Sequence, residues 1–243
     1  LLKKCASRWS KEQYFDAFNQ VQEYIKAGDC YQINLTQEFK ATAQGTLLSK
    51  AEELWQLTHA PYAGYLKLDD FELLSCSPEL FIEFQHERKI KTRPIKGTMP
   101  RFDDPKQDQV SKAKLSNSEK DQAENVMIVD LLRNDLSVYA ETGSVKTTKL
   151  FEIESFNQVH HMVSEITATL KQDVNPMQML LSALPGGSIT GAPKIRAMQI
   201  IEELEGASRG AYCGSLGYFN FDGTGRWNIL IRSIQKYQDQ LSV

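Results

Sequence analysis

The stretch YAGYLKLDDFELLSCSPELFIEFQHERKIKTR, residues 62–93, decides the fold. Its apolar and aromatic residues fall into four short runs, Tyr62 to Leu68, Phe71 to Cys76, Leu80 to Phe84 and Lys89 to Arg93, which predict the strands of a meander. Towards the N-terminus, Ser10 and Gln13 make a capping box. Tyr14, Phe15, Phe18, Val21 and Ile25 then recur at helical spacing up to Gly28. From Cys30 to Phe39 the period changes to two, with Tyr31, Ile33, Leu35 and Phe39 on one face and Gln32, Asn34 and Thr36 on the other. Leu47 to Leu57 reads as a second helix.

Beyond Arg93, the polar stretch Pro100 to Asp108 reads as a loop, and Ser116 with Glu119 opens a long helix through Leu132. Strands are expected around 144–150, 162–170, 211–221 and 227–234. Pro185 to Pro193 separates two helical patterns, with Pro193 suited to a first turn. Strand runs mixed with helices, without strict alternation, predict an α+β fold.

A net charge of −3 gives no electrostatic reason to expect nucleic acid or an anionic membrane surface. No apolar run approaches the ~20 residues that span a bilayer, and no signal peptide is evident. Cys5, Cys30, Cys76 and Cys213 are scattered, which suits reduced thiols in a cytoplasmic protein better than a zinc site.

Several residues could carry chemistry, each with a plainer alternative. The glycine-rich loop 185–193 offers backbone N–H groups to an anion, or is a simple connecting turn; it is neither a Walker A nor a GxGxxG motif. Asp121 and Glu124, three apart on a helix, could share Mg²⁺ or form a solvated acidic face. His160 and His161 are adjacent on a strand and must face opposite ways, so they cannot jointly bind a metal. Arg232, flanked by Ile231 and Ser233 in an apolar strand, reads as inward-facing and needs an anion, from substrate or from the protein. Lys96 follows a strand ended by a proline. Exposed it would be ordinary; buried, its neutral amine could be a nucleophile or base.

Six ordered segments, Cys30 to Phe39, Ser77-Pro78-Glu79, Arg93 to Thr98, Ala123 to Asp135, Gly186 to Met198 and Arg209 to Tyr218, together resemble the chorismate-utilising enzymes. The resemblance implies two packed antiparallel sheets with outer helices, forming one chorismate-binding domain over 1–243. Water-adding members carry a lysine base where this chain has Gln32, and anthranilate-forming members read Pro-Ile-Ala-Gly-Thr where it has Lys96. Lys96 with Tyr31-Gln32-Ile33-Asn34 is therefore similar to the aminodeoxychorismate-forming branch. That branch aminates chorismate at carbon 4 with ammonia from a glutamine amidotransferase partner, on the way to p-aminobenzoate and folate.

In that resemblance Lys96 is the nucleophile, Glu79 the general acid and His161 the histidine near the departing hydroxyl. Gln32, Asn34, Gly97, Thr98 and Thr190 line the substrate, and Tyr212 with Arg232 grips the enolpyruvyl carboxylate. Glu124 is the Mg²⁺ ligand, with Asp121 holding a metal-bound water. Family members carry a long N-terminal region and, past the position of Val243, a Gly-rich strand and a second metal-binding glutamate. The sequence as given is thus expected to be incomplete, to bind Mg²⁺ poorly and to be inactive alone. An anthranilate-forming enzyme and a catalytically silent family scaffold are the alternatives.

Overall fold

A computed structural model describes residues 5–243; the first four residues of the expected 1–243 domain lie outside it. In chain order the described residues form β1 (Ala6–Ser7), α1 (Lys11–Ala27), β2 (Gln32–Ile33), β3 (Phe39–Thr42), α2 (Leu48–Thr58), β4 (Tyr62–Leu68), β5 (Phe71–Ser77), β6 (Leu80–Phe84), β7 (Lys89–Arg93), β8 (Ile95–Pro100), α3 (Pro105–Ser116), α4 (Glu119–Ser137), β9 (Lys146–Ser155) and β10 (Val159–Thr169). They continue with α5 (Pro176–Ala183), β11 (Gly191–Ala192), α6 (Lys194–Glu205), β12 (Gly217–Phe219), β13 (Gly225–Asn228), β14 (Ser233–Tyr237) and β15 (Gln240–Ser242). The fold is α+β, as the sequence predicts, and the chain divides into two compact units. No helix among the described residues is long and apolar enough to cross a membrane.

The first unit comprises the described residues up to Ser77, Ile189–Gly214 and Leu230–Val243. Its antiparallel sheet runs β1-β3-β15-β14-β5-β4, and β2 pairs separately with β11. Leu47, Ala51 and Leu74 are buried together under Leu54, Trp55, Tyr65 and Ile234, so α2 covers this sheet. Helix α1 starts at the capping box, Ser10 accepting from the Gln13 N–H and the Gln13 side chain accepting from the Ser10 N–H, and stops at the left-handed Gly28.

The second unit, Pro78–Ser188 with Ser215–Ile229, holds the sheet β12-β13-β6-β7-β10-β8, with β9 on the other side of β10. Pro94 explains its central feature. A proline cannot donate to the ladder, so the 89–100 run is split. Strand β7 pairs with the C-terminal half of β10, and β8 pairs with its N-terminal half, from Val159 opposite Pro100 to Val163 opposite Ile95. Helix α4 packs on β8, β9 and β10, burying Ile128, Val129, Leu132 and Leu136.

Four expectations need correction. Residues 105–116 form helix α3, capped by Asp104 with Pro105 in the first turn, where a loop was expected through Asp108. Ser116 therefore ends one helix, and the cap of α4 is Ser118, which accepts from the Asp121 N–H. The expected strand 30–39 is only β2 followed by irregular chain up to β3, and Tyr31 and Phe39 on its supposedly apolar face are exposed. Finally, 227–234 is not one strand: β13 ends at Asn228 and β14 begins at Ser233, with Arg232 exposed between them in a left-handed conformation.

Candidate active site

Chain geometry gathers one group of side chains in the second unit around Lys96. Glu79 enters directly after Pro78, at the mouth of β6, and is only 4% exposed. Ile229 N–H donates to its backbone carbonyl at 3.2 Å, fixing the corner. The Ser188 hydroxyl donates to Glu79 Oε1 at 2.6 Å, and Lys96 Nζ donates to the Ser188 backbone carbonyl at 2.9 Å. Amine, serine and carboxyl therefore lie in one connected set.

Burial dominates the electrostatics of Glu79. It pushes the carboxyl from the ordinary range up to about 7, against the opposing pull of the Ser188 hydroxyl, the Lys96 charge and the Ile95 backbone N–H. A carboxylic acid with that value holds a proton near neutrality and can give it up, which is the property asked of a general acid. Lys96 itself is half-buried.

Strand register supplies the next pair. His161 lies opposite Thr98 across β10 and β8, and Thr98 Oγ1 is 2.9 Å from His161 Nδ1. The Phe156 ring packs tilted against the imidazole, with centroids 5.5 Å apart. His160 faces the other way, as strand alternation requires. Its Nδ1 lies 2.8 Å from Ser155 Oγ and its Nε2 3.0 Å from Asp108 Oδ1, so it ties β10 to α3. Arg101, hydrogen-bonded to the same carboxylate, holds Asp108 down at about 2. His160 is structural, and the two imidazoles face opposite ways, as their adjacency on the strand requires.

Gly97 brings α4 to this group. Its φ of 91° is a region that side chains disfavour, and a Cβ there would stand 3.0 Å from Asp121 and from Leu115. Only a glycine lets the first turn of α4 approach β8 so closely. Asp121 and Glu124 are both half-buried on that helix, and Lys120 Nζ stands 3.9 Å from Glu124. No group of three or more His, Cys, Asp or Glu side chains suited to a metal occurs among the described residues. Two hard carboxylates one turn apart nevertheless fit Mg²⁺, which is commonly held by one or two carboxylates together with water and substrate oxygens.

The remaining predicted residues lie in the first unit. Gln32 pairs with Ala192 across β2 and β11, and Asn34 N–H donates to the Thr190 carbonyl at 2.8 Å. Gly191 permits this, since a Cβ would lie 2.1 Å from the Gln32 carbonyl oxygen. Gln32, Asn34 and Thr190 are thus neighbours. Tyr212 sits beside Cys213, and burial, assisted by that thiol, pushes its phenol up to about 12. Arg232 is the exception. Its side chain is exposed, and its backbone carbonyl accepts from the Cys76 N–H at 3.0 Å. The inward-facing reading assumed an unbroken strand, and the break at 229–232 removes that premise.

Two residues in these groups were not foreseen as site residues. Ser188 was hidden inside the glycine-rich loop, and nothing local marks it. Arg209 organises the first unit's group: it grips Glu205 with two short hydrogen bonds and donates to the carbonyls of Ile189 and Asn34. The i, i+4 spacing of Glu205 and Arg209 was a usable signal.

These features are those of a family of known proteins. The chain belongs to the chorismate binding enzymes, whose family model matches residues 2–243. It is 49% identical over 232 residues to aminodeoxychorismate synthase component 1 of Klebsiella aerogenes, covering 96% of this chain and 51% of that protein. It is 38% identical over 231 residues to anthranilate synthase component 1 of Aquifex aeolicus (strain VF5), covering 95% of this chain and 47% of that one. Among solved structures, anthranilate synthase component I from Streptococcus pneumoniae TIGR4 matches with a TM-score of 0.90 at 30% identity, over 99% of this chain and 53% of that one. The chain spans about half the length of the curated relatives it matches.

Proposed function

We propose that this chain carries the chemistry of a chorismate-aminating enzyme, forming 4-amino-4-deoxychorismate with ammonia delivered by a glutamine amidotransferase partner. The observation that carries the proposal is the linked set Lys96, Ser188 and Glu79: an amine beside a buried carboxyl whose proton is retained up to about pH 7. The higher identity to an aminodeoxychorismate synthase than to an anthranilate synthase favours carbon 4 as the site of amination.

In this reading the neutral Lys96 amine attacks ring carbon 2 while the double bonds shift and the hydroxyl leaves carbon 4. Glu79 supplies the proton that lets that hydroxyl depart as water, with His161, its ring fixed by Thr98, beside it. Ammonia then bonds to carbon 4, the double bonds shift back, and the Lys96 nitrogen leaves carbon 2. Gln32, Asn34, Gly97, Thr98 and Thr190 are assigned to the substrate surface, and Tyr212 with Arg232 to the enolpyruvyl carboxylate. Asp121 and Glu124 would hold Mg²⁺, which when bound neutralises charge on the ring carboxylate. The cytoplasm is the proposed compartment.

The test is product analysis with the full-length protein supplied with chorismate, ammonium and Mg²⁺. Aminodeoxychorismate that retains its side chain is expected; anthranilate with released pyruvate would sink the assignment. Lys96→Ala should lower amination by at least a hundredfold, by the usual scale of nucleophile and acid–base contributions, and should lack the covalent substrate adduct that mass spectrometry is expected to trap in the parent. Undiminished amination in that variant would mean ammonia attacks directly.

A further inference from the structure

Ser188 touches both members of the reacting pair, by different atoms. Its side-chain oxygen donates to Glu79 Oε1 at 2.6 Å, and its backbone carbonyl accepts from Lys96 Nζ at 2.9 Å. The residue is 7% exposed and is held in a short helical turn, Gly187–Ile189, behind Gly186 and Gly187. Those glycines let the turn seat tightly: a Cβ on Gly186 would stand 2.8 Å from Ile229 Cδ1, and one on Gly187 2.5 Å from Leu131 Cδ2. Packing of the second unit thereby fixes the serine, and the serine has little freedom to let go of either partner.

We infer that Ser188 is a positioning residue: its carbonyl seats the Lys96 amine at the cluster, and its hydroxyl steadies the Glu79 carboxylate that forms when the acid gives up its proton. The inference rests on the roles proposed above for those two residues. A hydroxyl donating to a carboxyl oxygen favours the carboxylate. Lys96 is the charged group that acts on Glu79 across this cluster.

Ser188→Ala separates the two contacts, since it deletes the hydroxyl and keeps the carbonyl that binds Lys96. The measurement is the titration of the Glu79 carboxyl by carbon-13 NMR on the whole chain without substrate, the signal being the one absent from Glu79→Gln. The midpoint should rise by about one to two pH units in Ser188→Ala, the amount lost with a hydrogen bond to a charged group. Ser188→Cys, a weaker donor of similar size, should raise it by less. An unchanged midpoint in folded Ser188→Ala overturns the inference; if that variant lacks native near-ultraviolet dichroism, an unchanged midpoint in Ser188→Cys overturns it. A second readout is the pH profile of kcat/KM for amination, whose alkaline limb should move up in parallel. A shifted titration with an unmoved limb would preserve the Ser188 contact and refute Glu79 as the acid, so the two failures are distinguishable.

Discussion

Glu79 and Glu205 are equally buried, at 4% and 5% exposure, yet the two units surround them with different sets of donors. Glu205 receives two hydrogen bonds from the Arg209 guanidinium, at 2.9 and 2.6 Å, and two more from the Thr36 N–H and hydroxyl. Four donors tie the oxygens of that carboxyl group into the fold. Glu79 has a serine hydroxyl, a backbone N–H and a nearby lysine, and burial wins. Glu72, also buried, shows where the balance lies: the Thr46 and Tyr65 hydroxyls and the Leu47 N–H, with Lys236 3.9 Å away, together outweigh its burial and hold its carboxyl below the usual range. Residue type and exposure do not separate a structural carboxylate from a proton donor. The set of donors around it does.

Removing the guanidinium should have the largest effect. Arg209→Leu strands Glu205 and frees the carbonyls of Asn34 and Ile189, and is expected to cost about 3–5 kcal/mol in urea unfolding, the scale for breaking a buried pair from one side. A loss under ~1 kcal/mol would show that the Arg209 contacts do not anchor this part of the unit.

Glu79 should give a pH-dependent effect of the other sign. Its native value near 7 lies above the ordinary 4.5, so the native state binds the proton more tightly than the unfolded chain. That contribution is complete below about pH 4.5, declines as pH rises towards 7, and is absent above it. Glu79→Gln lacks this slope, and should gain about 3 kcal/mol relative to the parent between pH 4.5 and 8, from the ~1.4 kcal/mol carried by each pH unit. Unfolding midpoints at the two pH values measure it, and parallel curves would refute the shifted carboxyl.

The smallest change, Thr36→Val, deletes one of the four donors to Glu205. It should cost about 1 kcal/mol, the usual net value of one hydrogen bond, with the remaining donors keeping the side chain in place.

Regular elements were legible wherever the pattern was local. The strands β4 to β7 fall within a residue of their sequence assignments because each run is bounded by polar or turn residues. Helix α1 was legible from its cap, although Phe15 and Phe18 turned out exposed while Ala17 and Val21 face inward. Helix α3 was missed despite its Asp104-Pro105 start, since its 105–116 sequence has almost no apolar stripe and buries only Ser111 and Leu115. The break before Arg232 was missed because an apolar run looks alike whether it is one strand or two.

From the sequence alone came the α+β class, the ordered motifs and the residue types able to do the chemistry, because caps, periodicity and Gly or Pro positions act over a few residues. Only the tertiary structure decided that His161 rather than His160 meets Thr98, that β7 and β8 pair with opposite halves of β10, and that Ser188, ninety-two residues from Lys96 along the chain, joins it to Glu79. Those outcomes depend on register and on burial summed over many distant residues. A carboxyl acquires a value near 7 only once the packing that removes its water exists.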